Sequence, residues 1–264
     1  MRVLSTIFVL IGLWTCCVHS QDGITCDTLI DLTLIIDSSG SIPLTEFDEG
    51  KKALLDLVSR LNVAQNKANV ALINYASEVF AIAESNVFES DQLQLMQRIG
   101  GLQHIGTRTA TGSALDIARQ ICLGACRPLN LAVPRIFVVF TDGQSNEGLP
   151  VLPAAAAVRA TPVEGTIFTV GIGNVGTAGR AELEGITGDP SYVLNIASYL
   201  DLARITNAIS EKMCNVPAFV LPNTKILGEV KGNRTRYYRM NTLHKTAKNA
   251  FFEIEVRNQI GQVN

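Results

Sequence analysis

The chain has 264 residues, 47% of them hydrophobic, with 22 Lys and Arg against 24 Asp and Glu for a formal net charge of -2. That length holds one substantial domain and an appendage. The balanced charge leaves no basic footprint for nucleic acid and no acidic tail, so partners must be sought in local features.

Residues 1–20, MRVLSTIFVLIGLWTCCVHS, set one Arg before an apolar stretch and place Val18 and Ser20 at the two positions a signal peptidase reads. They are expected to be a secretory signal. An uncleaved anchor fits less well: the run from Val3 to Val18 is at the short end for a bilayer span and lacks flanking charge downstream. No later segment is long and apolar enough to span. Loss of the signal removes Cys16 and Cys17 and leaves Cys26, Cys122, Cys126 and Cys214. In an oxidising compartment these imply two disulfides, with three pairings open. Cys122 and Cys126, in ICLGAC, are close enough to bridge a local turn, which leaves Cys26, ahead of the first strand, with Cys214, after the last helix. A zinc site has neither the close spacing nor the partner His it would need.

LIDLTLIID (29–37) is a near-continuous apolar run, the pattern of a strand buried on both faces. TEFDEGKKALLDLVSRL then carries Phe47, Leu54, Val58 and Leu61 on one helical stripe. NVALINYA (69–76) and EVFAIAE (78–84) are separated by almost nothing; parallel strands need a long crossover, so this pair must be antiparallel. SALDIARQI repeats the helical pattern through Ala114, Ile117, Ala118 and Ile121. RIFVVFTD (135–142) and GTIFTVGIG (165–173) are further buried strands. The last helix is expected to open at Ser198 with a capping-box spacing to Asp201, and to bury Leu202, Ile205, Ile209 and Met213. The predicted fold is α/β: a doubly wound, mostly parallel central sheet with one antiparallel strand and helices on both faces, over residues 27–214. Residues 215–264 alternate like exposed-face strands and form a short β-rich segment, possible to read as the start of a further module. It contains the sequon at Asn233, a glycosylation candidate.

In open α/β sheets ligands sit beyond the carboxyl ends of the strands. Three segments reach that edge with oxygen-bearing side chains: Asp37-Ser38-Ser39-Gly40-Ser41, GTRTATG (106–112), and Asp142 in VVFTDG. Taken singly, each is an ordinary turn or helix-entry sequence. Their coincidence points to a hard cation, because two carboxylates and three hydroxyls suit a Mg²⁺ that keeps some water. Neutral hydroxyls leave the ion electrophilic toward an incoming carboxylate.

D-x-S-x-S after the first strand, a Thr before the third helix and T-D-G after the central strand together resemble the metal-ion-dependent adhesion site (MIDAS) of von Willebrand factor type A domains, the fold of integrin inserted domains, matrilins and collagen VI. The resemblance implies that Ser39 and Ser41 bind metal directly, that Asp37 acts through water, and that Asp142 moves between direct and water-mediated contact. It favours Thr107 as the threonine ligand, with Thr109 second. The implied cofactor is Mg²⁺, with Mn²⁺ or Ca²⁺ as alternates. The implied partner is an extracellular protein offering a Glu or Asp, such as a collagen, a matrix glycoprotein or a cell-surface protein. Arg108, Gln144, Ser145 and Asn146 would form the partner-binding rim. Two rival readings use the same residues. One is a structural block of a matrix assembly whose metal only stabilises it. The other is a Mg²⁺-dependent hydrolase, which would need a base; His104, three residues before Thr107, reads instead as a loop-surface histidine.

Overall fold

The structure is a computed structural model, and it describes residues 29–77, 79–81, 88–198, 201–221, 224–226 and 236–240. The elements are β1 (Ile30–Asp37), α1 (Leu44–Ser59), β2 (Ala68–Tyr75), β3 (Val79–Ala81), α2 (Gln92–Gly100), α3 (Thr111–Ala125), β4 (Arg135–Thr141), α4 (Val151–Arg159), β5 (Thr166–Ile172), α5 (Gly176–Thr187), β6 (Val193–Ile196), α6 (Leu202–Cys214), β7 (Ala218–Phe219) and β8 (Tyr238–Arg239).

Every residue of β1 is buried, as are all seven of β4, because helices cover both faces of the sheet. The six strands run in the order β3-β2-β1-β4-β5-β6. All neighbours are parallel except β2 and β3, where Tyr75 faces Val79 and Ile73 faces Ala81. The antiparallel expectation therefore holds for the described part of that hairpin. Alternation along β1 divides the core in two. Ile30, Leu32, Leu34 and Ile36 pack with Phe47, Leu54 and Val58 of α1 and with Leu202, Ile209 and Met213 of α6. Ile35 points the other way, into a layer with Ala114, Ala118 and Ile121 of α3, Val158 of α4 and Ile186 of α5. Each of those helices would expose its stripe to water if it let go, at about 25 cal/mol per Å² of apolar surface.

Three features depart from the expectations. The edge strand β6 and the helices α2, α4 and α5 are not resolved by periodicity; β6 is only four residues long and its first three are not fully buried. The last helix starts at Leu202, and the capping box does not form: Asp201 makes no side-chain cap, and its carboxylate accepts from Arg204 Nη1 at 2.7 Å. The Ser198 carbonyl accepts from Asp201 N at 3.0 Å. Finally, residues beyond Cys214 pack back onto the domain. Val216, Ala218 and Phe219 are buried, β7 and β8 pair in parallel, and Arg239 donates to the carboxylate of Glu164 at 3.1 Å. Glu164 precedes β5, so this contact lies at the amino ends of the strands.

Cys122 and Cys126 form a disulfide across the last turn of α3, with Cα atoms 4.6 Å apart. Cys214 is disulfide-bonded; its expected partner Cys26 lies outside the described residues, as do the signal segment and Asn233. No described helix is long and apolar enough to cross a membrane.

Candidate metal site

β1 and β4 are adjacent and parallel, so their carboxyl ends deliver Asp37 and the Thr141-Asp142 pair to one edge of the sheet. Immediately after β1 the chain turns on Gly40. A Cβ there would stand 2.8 Å from the carbonyl oxygen of Gly106, so only glycine lets the two loops come this close. Two backbone bonds fasten them: Gly40 N to the Thr107 carbonyl at 2.7 Å and Gly106 N to the Ser38 carbonyl at 2.9 Å. Gly106 itself has φ +73, a conformation that other residues resist.

The oxygens form a graded funnel. Asp37 is fully buried and Ser39 nearly so, Asp142 is half-buried, and Ser41 and Thr107 are exposed. Ser39 Oγ lies 3.1 Å from Ser41 Oγ, and Ser41 Oγ donates to Asp142 Oδ1 at 2.9 Å. Beneath them Asp37 Oδ1 accepts from Ser39 N at 2.9 Å and Oδ2 from Thr141 Oγ1 at 2.6 Å. Burial pushes the Asp37 carboxyl up to about 6; the bonds from Thr141 and Ser39 pull it down, and the nearby charge of Asp142 raises it further. Burial also raises Asp142, against the bond from Ser41.

The donor set fits a hard divalent cation. It offers oxygen alone, two of its five groups are acids held at high proton affinity, and an ion would relieve their mutual repulsion. Among the described residues no three His, Cys, Asp or Glu side chains gather to hold a metal by themselves, and the side chains bonded in line with Asp142 at this edge are the hydroxyls of Ser41 and Ser39.

The two threonines are used differently. Thr107 is exposed, and its hydroxyl accepts from Ser77 N at 3.1 Å. Thr109 is buried and anchors the Asp142 loop: its carbonyl accepts from Asn146 N, Glu147 N and Ser145 Oγ, and its N–H donates to Asn146 Oδ1. Of the rim residues, Ser145 and Asn146 thus commit their side chains to the loops themselves, whereas Gln144 and Arg108 stand exposed at the border. Arg108 is steadied by Nη2 donating to the Asn146 carbonyl at 3.0 Å.

Three contributors escaped the sequence reading. Thr141 holds Asp37; the T of T-D-G was its only trace. Tyr75 lies buried under the site and bonds Thr111. His104 is a brace, half-buried, with Nε2 donating to the Ser39 carbonyl at 3.2 Å and its ring centre 5.4 Å from that of Phe47. It corrects the surface-loop reading, and a lone histidine in a loop gave no signal of it.

Comparison with known proteins agrees with this architecture. A family model, von Willebrand factor type A domain, matches residues 31–208. Matrilin-2 of Mus musculus is 29% identical over 191 residues, covering 70% of this chain and 19% of that protein. Matrilin-1 of Gallus gallus is 31% identical over 194 residues, covering 70% and 37%, and the collagen alpha-6(VI) chain of Homo sapiens is 25% identical over 225 residues, covering 82% and 10%. The chain therefore spans between a tenth and under two fifths of the length of these relatives. Among solved structures, proximal thread matrix protein 1 from the mussel byssus superposes with a TM-score of 0.63 at 22% identity, over 73% of this chain and 50% of that one. One structure of that mussel protein has its MIDAS motif occupied by zinc. With the family model covering most of the described residues and the same sheet beneath it, the chain belongs to the von Willebrand factor type A domain family.

Proposed function

We propose that this chain is a secreted adhesion module of extracellular matrix that grips a carboxylate of a partner protein through a divalent cation. Ser39, Ser41 and Thr107 would bind the ion directly, and Asp37 and Asp142 would hold it directly or through water. Mg²⁺ is the expected ion, with Mn²⁺ or Ca²⁺ as alternates. When bound, the ion supplies an electrophilic coordination position for a Glu or Asp of the partner. The observation that carries this reading is the convergence of Asp37, Ser39, Ser41 and Asp142 at the carboxyl ends of β1 and β4, linked oxygen to oxygen at 2.9–3.1 Å from Ser39 to Asp142.

The residues divide the work. Asp37 forms the floor, fixed by Thr141 and Ser39 N; Ser41 and Thr107 stand at the mouth, where a partner arrives; Arg108 and Gln144 border it. The matrilin and collagen relatives support a matrix partner and a binding role in place of catalysis. Residues 1–20 as a secretory signal and Asn233 as a glycan site belong to the same proposal. In the test, the full secreted chain is titrated with MgCl₂ in a calorimeter and its capture on immobilised collagen and matrix glycoproteins is measured with and without EDTA. Uptake of one ion, with capture lost in EDTA and in Asp37→Ala and Asp142→Ala while both variants stay folded, is the expected result. No heat of binding overturns the proposal. Capture that survives EDTA while the melting temperature falls would make the metal purely structural.

A further inference from the structure

Beside the proposed metal site an open groove of about 490 Å³ runs from Ser145 to the start of α4, within the size range of ligand clefts. Its apolar part is turned to solvent: Leu149 is 48% and Leu152 51% exposed, and Pro150 and Pro153 are exposed with them. Glu182, from α5, lines the same groove.

The loop that shapes the groove is fastened to two helices. On the α5 side Ser145 N donates to Glu182 Oε1 at 2.9 Å. On the α3 side Leu149 N donates to Ser113 Oγ at 3.1 Å, and Gly112 packs so closely that a Cβ there would stand 2.0 Å from the Leu149 carbonyl oxygen. A surface held in this way needs little ordering when a partner binds.

Glu182 is a carboxylate without a counter-ion. It is half-buried, its hydrogen bond is the one from Ser145 N, and it forms no ion pair among the described residues. Burial raises its carboxyl with only the Ser145 bond opposing. Two neighbouring arginines are engaged elsewhere: Arg180 Nε donates to Glu184 at 2.9 Å, and Arg108 Nη2 to the Asn146 carbonyl at 3.0 Å.

Position sets the order of contacts. Three residues of chain, at most about 10 Å, separate Asp142 from Ser145 and so from the carboxylate bonded to it. Helix α5 follows β5 and runs away from the metal edge; Leu152 Cδ2 lies 2.6 Å from where a Cβ on Gly185 would stand, one turn beyond Glu182. A segment laid from the metal into the groove therefore meets Glu182 first and the leucines after it.

We propose that this groove selects the partner: a protein segment that carries a Lys or Arg within about four residues of its metal-binding Glu or Asp, the basic side chain pairing with Glu182 and an apolar side chain beyond it resting on Leu149 and Leu152. This rests on the metal-bridging reading above and adds the chemistry of the bound segment.

In the test, a displayed library of random linear peptides is panned on the full secreted chain in MgCl₂ and eluted with EDTA, and the leading peptide is then synthesised and titrated against wild type and variants. Eluted sequences are expected to pair an acid with a Lys or Arg within about four residues. Glu182→Gln keeps an acceptor for Ser145 N and removes only the charge, so it should bind the peptide about fivefold more weakly and with a shallower salt dependence, while its calorimetric Mg²⁺ uptake matches the wild type. Leu152→Ser, at an exposed position, should lose about threefold and is the second probe. Acids enriched without a nearby basic residue, or a peptide that binds Glu182→Gln and Leu152→Ser like the wild type, overturn the inference. So does a wild-type dimer in light scattering that Leu152→Ser dissociates, which would give the groove to a second copy of the chain. A wild-type chain that takes up no Mg²⁺, or whose eluted peptides lack an acid, overturns the metal-bridging reading instead.

Discussion

The two ends of β1 carry one buried carboxylate each and treat it in opposite ways. Asp31, at the amino end, receives a guanidinium: Arg127 Nη1 and Arg127 N donate to its two oxygens, both at 2.7 Å. Burial raises the Asp31 carboxyl, and the Arg127 guanidinium paired with it draws it back. Asp37, at the carboxyl end, is held by the neutral donors Ser39 N and Thr141 Oγ1 and stands near a second carboxylate, Asp142. One pole is thus completed by the chain's own cation and serves stability. The other concentrates negative charge under a layer of hydroxyls, the arrangement on which the proposed metal site rests.

Breaking the stable pole has the largest expected effect. Arg127 also donates to the carbonyls of Ile30, Gln65 and Lys67, and it comes directly after Cys126 of the α3 disulfide. Arg127→Met leaves the Asp31 carboxylate buried without its guanidinium and should cost about 3–5 kcal/mol in urea unfolding. Asp37→Asn makes the same kind of deletion at the other pole and should instead leave the metal-free domain as stable as before or more so, while Mg²⁺ uptake disappears. Equal destabilisation by the two substitutions would erase the distinction between the poles.

Next in size is a pH effect. Asp37 titrates at about 6 in the fold and near 3.8 when unfolded, so the folded state holds its proton more tightly. The associated stability is complete below about pH 4 and is lost as pH rises through about 6, amounting to up to ~3 kcal/mol without metal. Asp142 shifts in the same direction and Asp56 in the other, so the measurement is the difference between the wild type and Asp37→Asn, followed by urea unfolding from pH 4 to 7.5 in EDTA. Saturating Mg²⁺ should reverse the trend, because only the ionised carboxylate binds it; at a hundred times Kd the ion adds about 2.7 kcal/mol. A wild-type curve parallel to that of Asp37→Asn would remove Asp37 as the source.

Gly40→Ala comes third. Its new Cβ would meet backbone, the Gly106 carbonyl, which cannot swing aside as a side chain would. A cost of about 1–3 kcal/mol is expected, with weaker Mg²⁺ binding because the Ser39 and Thr107 loops are forced apart. Gly100→Ala, with nothing within 4 Å of the added carbon, is the control and should be near neutral. The same loops show how far the sequence could be read. Asp37, Ser39, Ser41 and Asp142 were legible because buried parallel strands announce themselves as apolar runs, and the residues that end such a run must lie at the sheet edge. Thr141 and Tyr75 were not, since a hydroxyl within an apolar run does not reveal what it faces across the sheet. Short β6 escaped for lack of length, and the missing cap at Asp201 reflects a carboxylate drawn instead to Arg204. Asn146 and Ser145 had polarity suited to a rim, yet loop closure consumed it.

The smallest effect concerns the far pole again. Arg239 Nη1 donates to Glu164 Oε2 at 3.1 Å, and its guanidinium lies 5.4 Å from the Phe219 ring centre, so one side chain joins β8 to both β7 and the turn before β5. The Glu164 side chain is 2% exposed but that of Arg239 is 33% exposed, and Thr161 Oγ1 also serves Glu164, at 2.6 Å. Arg239→Met keeps the aliphatic contact with Phe219 and removes the charge, so the loss should be only about 1 kcal/mol. Strand β5 separates this contact from the metal edge by roughly 20 Å. If the poles are independent, Mg²⁺ affinity in Arg239→Met stays at the wild-type value; a shift of more than twofold in calorimetry would mean that the segment beyond Cys214 acts on the site through the sheet, and the division of labour along β1 would have to be abandoned.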